Sequence, residues 1–177
     1  LGQKIDFPLF PSPTAMHRLY HYEGERASAK DVEKMGTIFG TSTMSTVSIE
    51  EIGKLTKGPK LFQLYIHKDK GLTNNLIERC KKSGFNSMCL TVDAVVAGNR
   101  ERDHRTGFST PPRLTLGSLL SFALHPEWSL NYLLRKKFEL ANIIHMTDKG
   151  SKIDKSVMNY MNEQFERNMS WSDAEYC

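Results

Sequence analysis

Short apolar runs alternate with helical stretches through the first half of the chain, and this alternation restricts the possible folds more than any other feature. The runs cover Phe7 to Pro13, Thr37 to Ser42, Leu61 to Ile66 and Met88 to Asp93. Short apolar runs bounded by turn residues are typical of buried strands. They recur about every 25 residues, which is too far apart for hairpins, so parallel strands joined by right-handed crossovers are predicted.

Helices are predicted between these strands, over Gly24 to Met35, Ser48 to Leu55 and Leu72 to Ser83. Ser48 and Glu51 have the spacing of a capping box at the start of the second helix. Gly36 and Gly84 stand where the C-terminal caps of helices favour glycine. The chain therefore has an α/β pattern, and its parallel sheet is either closed into an eight-stranded barrel or open and doubly wound. Four strand and helix units do not decide between these two.

The alternation stops after residue 93, and residues 94–169 are predicted to form a long insertion. Insertions of this length in compact domains are commonly functional. Within it, Leu114 to Ile144 concentrates leucines and aromatic residues and includes the basic trio Arg135, Lys136 and Lys137. This composition is typical of a helix pair at a membrane surface, and a lid or a subunit contact is the alternative interpretation.

Three parts of the chain are thus expected: the first four strands with their helices at 1–93, the insertion at 94–169, and the start of another helix at 170–177. The last part follows from Ser170 and Asp173, which have capping-box spacing. We expect both ends of the chain to lie within a longer protein, because it begins without Met and stops just after that helix start.

Composition excludes several classes of protein. The formal net charge of +4 is too small an excess to indicate a nucleic-acid partner. The three cysteines lack the spacing of a metal site, and their small, odd number favours a reducing compartment. No apolar run is long enough to span a bilayer. A cytoplasmic location is predicted, with the inner face of the membrane as the alternative that the insertion suggests.

Polar residues close each apolar run, and active sites of β/α barrels are built at these C-terminal strand ends. Ala15 and Ser42 are small enough for a flat ring to approach the backbone. Ser42, Gln63 and Thr91 offer short donors and acceptors suited to the carbonyls and nitrogens of an isoalloxazine. For any one of them, satisfying loop backbone is the more common role. Their recurrence at successive strand ends favours a flavin site.

Two charged residues follow the fourth run. Asp93 comes directly after an apolar segment, so we expect it to be substantially buried and to orient an active-site histidine. A helix cap or a loop salt bridge is the alternative. Arg100 carries a charge suited to an acidic substrate, although the charged run around it is also typical of a solvated loop.

These segments together resemble the family of FMN-dependent enzymes that oxidise 2-hydroxy acids. The resemblance runs almost end to end and rests on five motifs in order: Ser12-Pro13-Thr14-Ala15-Met16, Gly40-Thr41-Ser42-Thr43-Met44-Ser45, Phe62-Gln63-Leu64-Tyr65, Leu90-Thr91-Val92-Asp93 and Gly98-Asn99-Arg100-Glu101-Arg102-Asp103. It implies a partial TIM (β/α)8 barrel comprising about the first four units, with the insertion after the fourth strand.

The resemblance also implies roles for single residues. The cofactor FMN would be bound by Pro13, Thr14 and Ala15 through backbone and by Ser42, Gln63 and Thr91 through side chains. A small 2-hydroxy acid of the lactate, glycolate or mandelate type would be contacted by Tyr65, Arg100 and Met44. Asp93 would pair with the catalytic histidine, which makes Asp93, Tyr65 and Arg100 the catalytic candidates.

The family's histidine base, substrate arginine and flavin lysine are not expected in this chain. The base and the arginine belong to a Ser-Asn-His-Gly-Gly-Arg motif, and no His-Gly-Gly-Arg occurs in the sequence. Its six histidines are therefore interpreted as surface or structural residues. We expect the chain to be inactive alone, and the complete protein to form a homo-oligomer, commonly a tetramer in this family. Another flavin-binding barrel and a membrane-surface module are the alternative functions.

Overall fold

A three-stranded parallel sheet organises the protein. The computed structural model describes residues 2–93, 99–107, 115–137, 139–144 and 163–177. In these ranges the strands are β1 (Phe39–Ser42), β2 (Lys60–Leu64) and β3 (Ser87–Leu90), and they are hydrogen-bonded in the order β1-β2-β3. The register aligns Ser42 with Gln63 and Gln63 with Cys89. The C-terminal ends of the three strands therefore lie side by side.

The three predicted helices are present: α1 (Glu25–Lys34) precedes β1, α2 (Ile49–Leu55) connects β1 to β2, and α3 (Lys70–Lys82) connects β2 to β3. Ser48 caps α2 by accepting a hydrogen bond from the backbone N–H of Glu51. Asp69 caps α3 in the same manner and starts it two residues before the predicted position. Gly36 and Gly84 follow α1 and α3 with positive φ angles, which glycine adopts without steric cost.

The apolar core lies between the helices and one face of the sheet. Phe62 and Leu64 of β2 pack against Leu76 and Ile77 of α3. A second cluster joins α1, α2 and β1 through residues that include Val32. All five residues of β2 are buried, as expected for a central parallel strand that is covered on both faces. This burial explains why the β2 run is so apolar in sequence.

The strand predicted over Phe7 to Pro13 is wrong. This segment is mostly exposed and is not assigned as a strand, and a ladder bridge to β1 comes just after it, between Thr14 and Thr41. The prolines at positions 8, 11 and 13 explain the difference, because proline has no N–H to donate to a ladder. The segment still lies beside β1, with Pro13 packed against Gly40.

The order of the described strands agrees with a barrel. A doubly wound sheet reverses its strand order at the point where ligands bind, whereas a barrel keeps neighbouring strands consecutive. Strands β1, β2 and β3 follow one another without reversal, and the Thr14 bridge extends the series on the β1 side. The predicted α/β class is therefore confirmed within the described ranges.

The insertion contains the predicted helix pair. Its described parts hold α4 (Glu101–Thr106), α5 (Leu116–Leu124) and α6 (Pro126–Leu134), while positions 94–98, 108–114, 138 and 145–162 lie outside the described residues. The final helix, α7 (Trp171–Tyr176), begins where the capping pattern predicts it. Among the described helices none is both long and apolar enough to cross a membrane.

Candidate functional site

A continuous row of polar side chains crosses the C-terminal ends of the three strands. The hydroxyl of Ser42 donates to Oε1 of Gln63 over 2.8 Å, and Nε2 of Gln63 donates to the hydroxyl of Thr91 over 2.6 Å. Ser42 and Gln63 are buried, and Thr91 is half-buried. Because each side chain comes from a different strand, the sheet fixes their spacing. The three residues predicted from sequence are thus brought together.

Thr43 supports this row and was missed in the sequence. Its hydroxyl donates to the carbonyl of Gln63 over 2.7 Å and accepts from the backbone N–H of Tyr65 over 3.1 Å. Thr43 is fully buried, so these bonds hold the end of β1 against the end of β2. Only its place in the motif beside Ser42 indicated a role, since a buried threonine has no distinguishing local pattern.

The dimensions and chemistry of the row suit a flat, polar ring system. Two strand spacings separate Ser42 from Thr91, which is about 10 Å and comparable to the length of a three-ring system. Hydroxyl and amide groups can both donate and accept, as the carbonyls and nitrogens of an isoalloxazine require. The residues present therefore fit FMN along one edge of its ring.

The segment Pro13 to Met16, which precedes α1, lies beside the β1 end of the polar row. The backbone N–H of Met16 donates to the carbonyl of Met44 over 3.2 Å. Two residues earlier, Thr14 forms the bridge to Thr41. Ala15 packs beside Met44, while Thr14 is exposed and bonds the carbonyl of Ser12. The backbone of Pro13 to Ala15 is therefore held next to the row, as the proposed backbone contacts require.

Tyr65 is the substrate candidate that follows the β2 end of the row, two residues after Gln63. Its ring is half-buried and stacks on Phe165, with centroids 4.5 Å apart and planes inclined by 16°. Burial raises the pKa of its phenol, the nearby Asp93 raises it further, and Arg100 lowers it. Tyr65 therefore stays protonated and can donate a hydrogen bond. Asp93 and Arg100 thus act on the Tyr65 phenol through their charges.

The expectation that Asp93 is substantially buried is wrong. Asp93 and Arg100 are both exposed in this structure. The reason is that β3 is the outer strand of the described sheet, so its end is covered on one side only. The apolar run before Asp93 reflects packing of β3 against α3 through Met88 and Leu90, and that packing does not extend to the carboxylate.

Met44 is almost fully buried, which leaves little of its side chain for a substrate to contact. It is 2% exposed and belongs to an apolar cluster with Leu140, Ile143 and Phe165. Tyr65 packs on the edge of this cluster. Met44 thus belongs to the apolar cluster on which Tyr65 packs. Its direct contact with a substrate stays a prediction.

Two segments of the insertion complete the wall beside Tyr65, and sequence reasoning missed both. Residues 164–166 bond residues 66–68 in an antiparallel arrangement, which buries Phe165. Asn142 is 1% exposed, accepts from the N–H of Ile49 over 2.9 Å and donates to the hydroxyl of Ser45 over 2.9 Å. No local signal marks either residue, because their roles arise from contacts with residues far away in sequence.

The described histidines match the structural interpretation. His67 is 1% exposed and packs edge-on against Phe165, with ring centroids 5.1 Å apart. Burial lowers the pKa of His67 to about 4, so its ring is neutral at physiological pH. Within the described ranges no group of three or more His, Cys, Asp or Glu side chains is placed to hold a metal ion.

Comparison with known proteins identifies the family. A model of the FMN-dependent dehydrogenases matches residues 1–177. An L-lactate oxidase of Nostoc sp. is 46% identical over 127 residues, and the match covers 70% of this chain and 35% of that protein. The glycolate oxidase of Spinacia oleracea is 35% identical over 99% of this chain and 42% of its own length. The chain thus spans less than half the length of these relatives.

A solved structure has the same fold. The crystal structure of the monotopic membrane protein (S)-mandelate dehydrogenase superposes with a TM-score of 0.85 at 28% identity, over 97% of this chain and 45% of the other. This match confirms the partial (β/α)8 barrel. The chain belongs to the FMN-dependent dehydrogenase family, as the family match along residues 1–177 shows and as the polar row and strand order of the chain agree.

Proposed function

We propose that the complete protein uses FMN to oxidise an L-2-hydroxy acid of the lactate, glycolate or mandelate type to the 2-oxo acid. One observation carries the proposal: Ser42, Gln63 and Thr91 form a hydrogen-bonded row at the strand ends, and Tyr65 follows Gln63 by two residues with its backbone N–H bonded to Thr43. FMN, when bound, supplies the acceptor for the two electrons removed from the substrate. The named substrates of the relatives support this choice of acid.

The described residues perform three tasks in this proposal. Ser42, Gln63 and Thr91 hold one edge of the flavin ring, and the backbone of Pro13 to Ala15 limits its position. Tyr65 donates a hydrogen bond to the substrate's hydroxyl or carboxylate, since its raised pKa keeps the proton on the phenol. Arg100 attracts the substrate carboxylate, for which a guanidinium is well suited.

Asp93 has a positioning role in the same proposal. As a carboxylate at the end of β3, it would orient the histidine base that the family carries in its His-Gly-Gly-Arg motif, which is absent from this sequence. This chain covers less than half of each of these relatives, which supports placing that base elsewhere in the complete protein. We therefore infer that this chain supplies binding and positioning residues to the complete protein and does not turn over substrate alone.

The test follows flavin reduction in the complete protein. Under anaerobic conditions, L-lactate, glycolate and (S)-mandelate are mixed separately with the enzyme, and the loss of oxidised-flavin absorbance is recorded. At least one acid should reduce the flavin, and Tyr65→Phe should slow reduction by roughly tenfold or more, because a positioned donor is lost. Asp93→Asn should slow it as well. Rapid reduction in both variants, or none with any of the acids, would contradict the proposal.

We infer a second function, contact with a membrane surface through α5 and α6. Seven leucines of this helix pair are exposed, including Leu116 at 89% and Leu134 at 79%, an amount that marks an interaction surface rather than a solvated one. The other five are Leu119, Leu120, Leu124, Leu130 and Leu133. The basic trio Arg135, Lys136 and Lys137 follows directly, which suits an anionic lipid surface. The monotopic relative supports this choice of partner.

Vesicle sedimentation distinguishes this function from a subunit contact. Leu133→Ser combined with Leu134→Ser should reduce the bound fraction of the complete protein severalfold, since two leucines no longer enter the lipid. Leu9→Ser is the control, because Leu9 is also exposed but lies far from α6 in the sequence. A loss of oligomer in gel filtration with unchanged vesicle binding would favour the subunit contact instead.

A further inference from the structure

A cavity lies between the 3₁₀ turn at His17–Leu19 with the residues that follow it and helix α6. Its volume is about 270 Å³, slightly below the range of pockets for drug-sized ligands. Arg18, His21 and Tyr22 line one side, and Trp128 and Arg135 line the other. No residue of the polar row at the strand ends contributes to it. The cavity is therefore a separate site, too small for a flavin.

The charge of the cavity is predominantly positive. Arg18, Arg135 and Lys136 line it together with one acidic residue, Glu127. Within the part of the chain that the structure describes, none of the three cations is in an ion pair closer than 4.0 Å. Burial lowers the pKa of Arg18 and the charge of Arg26 lowers it further, while the charges of Glu25, Glu51 and Glu139 act in the opposite direction. A partly desolvated cation that is not in a close ion pair favours binding of an anion.

Aromatic contacts hold the walls in place. The guanidinium of Arg135 lies 4.9 Å above the ring of Tyr22, and the rings of Trp128 and Tyr132 stack at 5.0 Å. Nε1 of Trp128 donates to the carbonyl of Leu19 over 3.0 Å. Arg18 joins the two sides by donating to the carbonyl of Lys136 over 2.5 Å. The cationic groups are thus preorganised, which reduces the cost of binding.

Helix α6 has two different faces. Trp128, Asn131, Tyr132 and Arg135 follow the helical spacing and line the cavity. The residues between them include Leu130, Leu133 and Leu134, all of which are exposed. A ligand in the cavity is therefore next to a surface rich in leucine. The molecule that combines an anionic group with an adjoining apolar part is an anionic lipid.

We propose that this cavity binds the phosphate group of an anionic phospholipid while the leucines of α5 and α6 enter the lipid beside it. This inference rests on the membrane contact proposed above and adds the chemical class of lipid. Arginine suits phosphate because its planar guanidinium can form two parallel hydrogen bonds to phosphate oxygens. Arg135 is the central residue, since it is fixed over Tyr22 and lies at the boundary with the leucine face.

The experiment compares substitutions at two neighbouring basic residues of the complete protein. Arg135→Gln and Lys137→Gln remove the same charge two positions apart, but Lys137 does not line the cavity. Binding of dioctanoyl phosphatidylglycerol, below its micelle concentration, is measured by titration calorimetry beside inorganic phosphate. Retained flavin absorbance confirms that each variant is folded. A third variant, Arg135→Lys, keeps the positive charge but lacks the planar guanidinium.

The three variants should differ in their affinity for the short-chain lipid in a definite order. Arg135→Gln should weaken binding of the short-chain lipid by about tenfold or more, Arg135→Lys by less, and Lys137→Gln by less than about twofold, because a soluble lipid creates no surface potential. Equal effects of Arg135→Gln and Lys137→Gln would overturn the proposal. Inorganic phosphate binding as tightly as the lipid would also overturn it, because the site would then serve free phosphate.

Vesicles separate this inference from the membrane contact itself. Wild-type protein should sediment more strongly with phosphatidylcholine vesicles containing phosphatidylglycerol than with pure phosphatidylcholine, and Arg135→Gln should reduce that preference more than Lys137→Gln. Binding to both kinds of vesicle without any preference would overturn the cavity's role and leave the membrane contact intact. Absence of vesicle binding, with retained binding of the short-chain lipid, would instead contradict the membrane contact alone.

Discussion

His67 illustrates how burial sets the ionisation of a single residue near the site. Its ring is enclosed by Phe165 and neighbouring apolar groups, and its pKa falls to about 4 from an ordinary value of 6.5. Between these two pH values the unfolded chain binds a proton that the folded chain does not. Stability is therefore fully present above pH 6.5 and is lost as the pH falls toward 4.

The pH dependence of stability tests this assignment. The free energy of unfolding should fall by roughly 3 kcal/mol at most between pH 6.5 and pH 4, from the shift multiplied by 1.36 kcal/mol per pH unit. His67→Gln should flatten this dependence in urea titrations. His104→Gln, at an exposed position, should leave it in place. Loss of the pH dependence in the His104 variant instead would contradict the assignment.

The Glu50 carboxylate loses its ionisation in a lower pH window. Hydrogen bonds from Arg79 lower the pKa of Glu50 to about 2 from 4.5. Its contribution to stability is present above pH 4.5 and is lost as the pH falls toward 2. The exposure of Glu50 makes this contribution small. The two windows overlap only between about pH 4.5 and pH 4, so most of each can be measured separately.

At the scale of the elements, the position of the N-terminal segment depends on a close approach to β1. A Cβ atom added at Gly40 would lie 2.8 Å from Cγ of Pro13, which is shorter than normal contact. Gly40 is therefore a site where the backbone of one segment must approach the ring of another. In the proposed site, Pro13 to Ala15 would reach the flavin edge only if this approach is kept.

Gly40→Ala should displace Pro13 and weaken FMN binding by the complete protein. We expect a loss of about 1 to 3 kcal/mol in the free energy of unfolding, the usual cost of overpacking, and a measurable rise in the Kd for FMN. Gly58→Ala is the matched control, since the nearest atom to an added Cβ there is 4.0 Å away. Equal FMN affinity in the two variants would show that Pro13 does not position the flavin.

Asn142 links the insertion to the barrel at the same scale. Its side chain satisfies the N–H of Ile49 at the start of α2 and the hydroxyl of Ser45 beyond β1, both in buried surroundings. Asn142→Ala should cost about 2 to 3 kcal/mol in urea unfolding, because it leaves buried polar groups without partners. Asn75→Ala, at an exposed position on α3, should change the unfolding free energy by less than about 0.5 kcal/mol.

At the scale of the whole molecule, the sheet is open at β3 in the described structure. Strand β3 pairs with β2 on one side, and its residues are only partly buried or exposed. A barrel strand gains a second neighbour and a covered inner face on closure. The chain carries three strand ends of the proposed flavin site, and its relatives are more than twice its length.

The isolated chain of 177 residues should therefore bind FMN weakly. Titration with FMN, followed by quenching of flavin fluorescence, should show no tight stoichiometric complex, whereas the complete protein should bind tightly. The physical reason is that a single ring edge supplies only part of the contacts that a preorganised site requires. Tight binding by the isolated chain would refute the division of the site between this chain and the rest of the protein.

The sequence by itself determined the parts of this protein that depend on local patterns. The apolar runs predicted β1, β2 and β3, and helical spacing together with capping residues predicted α1, α2 and α3, because these elements are set by neighbours in the chain. The positions of Ser42, Gln63 and Thr91 also followed from sequence, since parallel strands place their C-terminal ends at one edge of the sheet. The failed strand at Phe7 to Pro13 contained its own contrary signal in its prolines.

Only the tertiary structure decided what depends on contacts between distant residues. It placed Phe165 against Tyr65, joined Asn142 to the start of α2, and left Asp93 exposed at the outer strand. It also joined Arg18 and Arg135, which are separated by more than a hundred residues, in one cavity. No local pattern encodes such neighbours, because burial and charge environment are properties of the packed chain rather than of any segment.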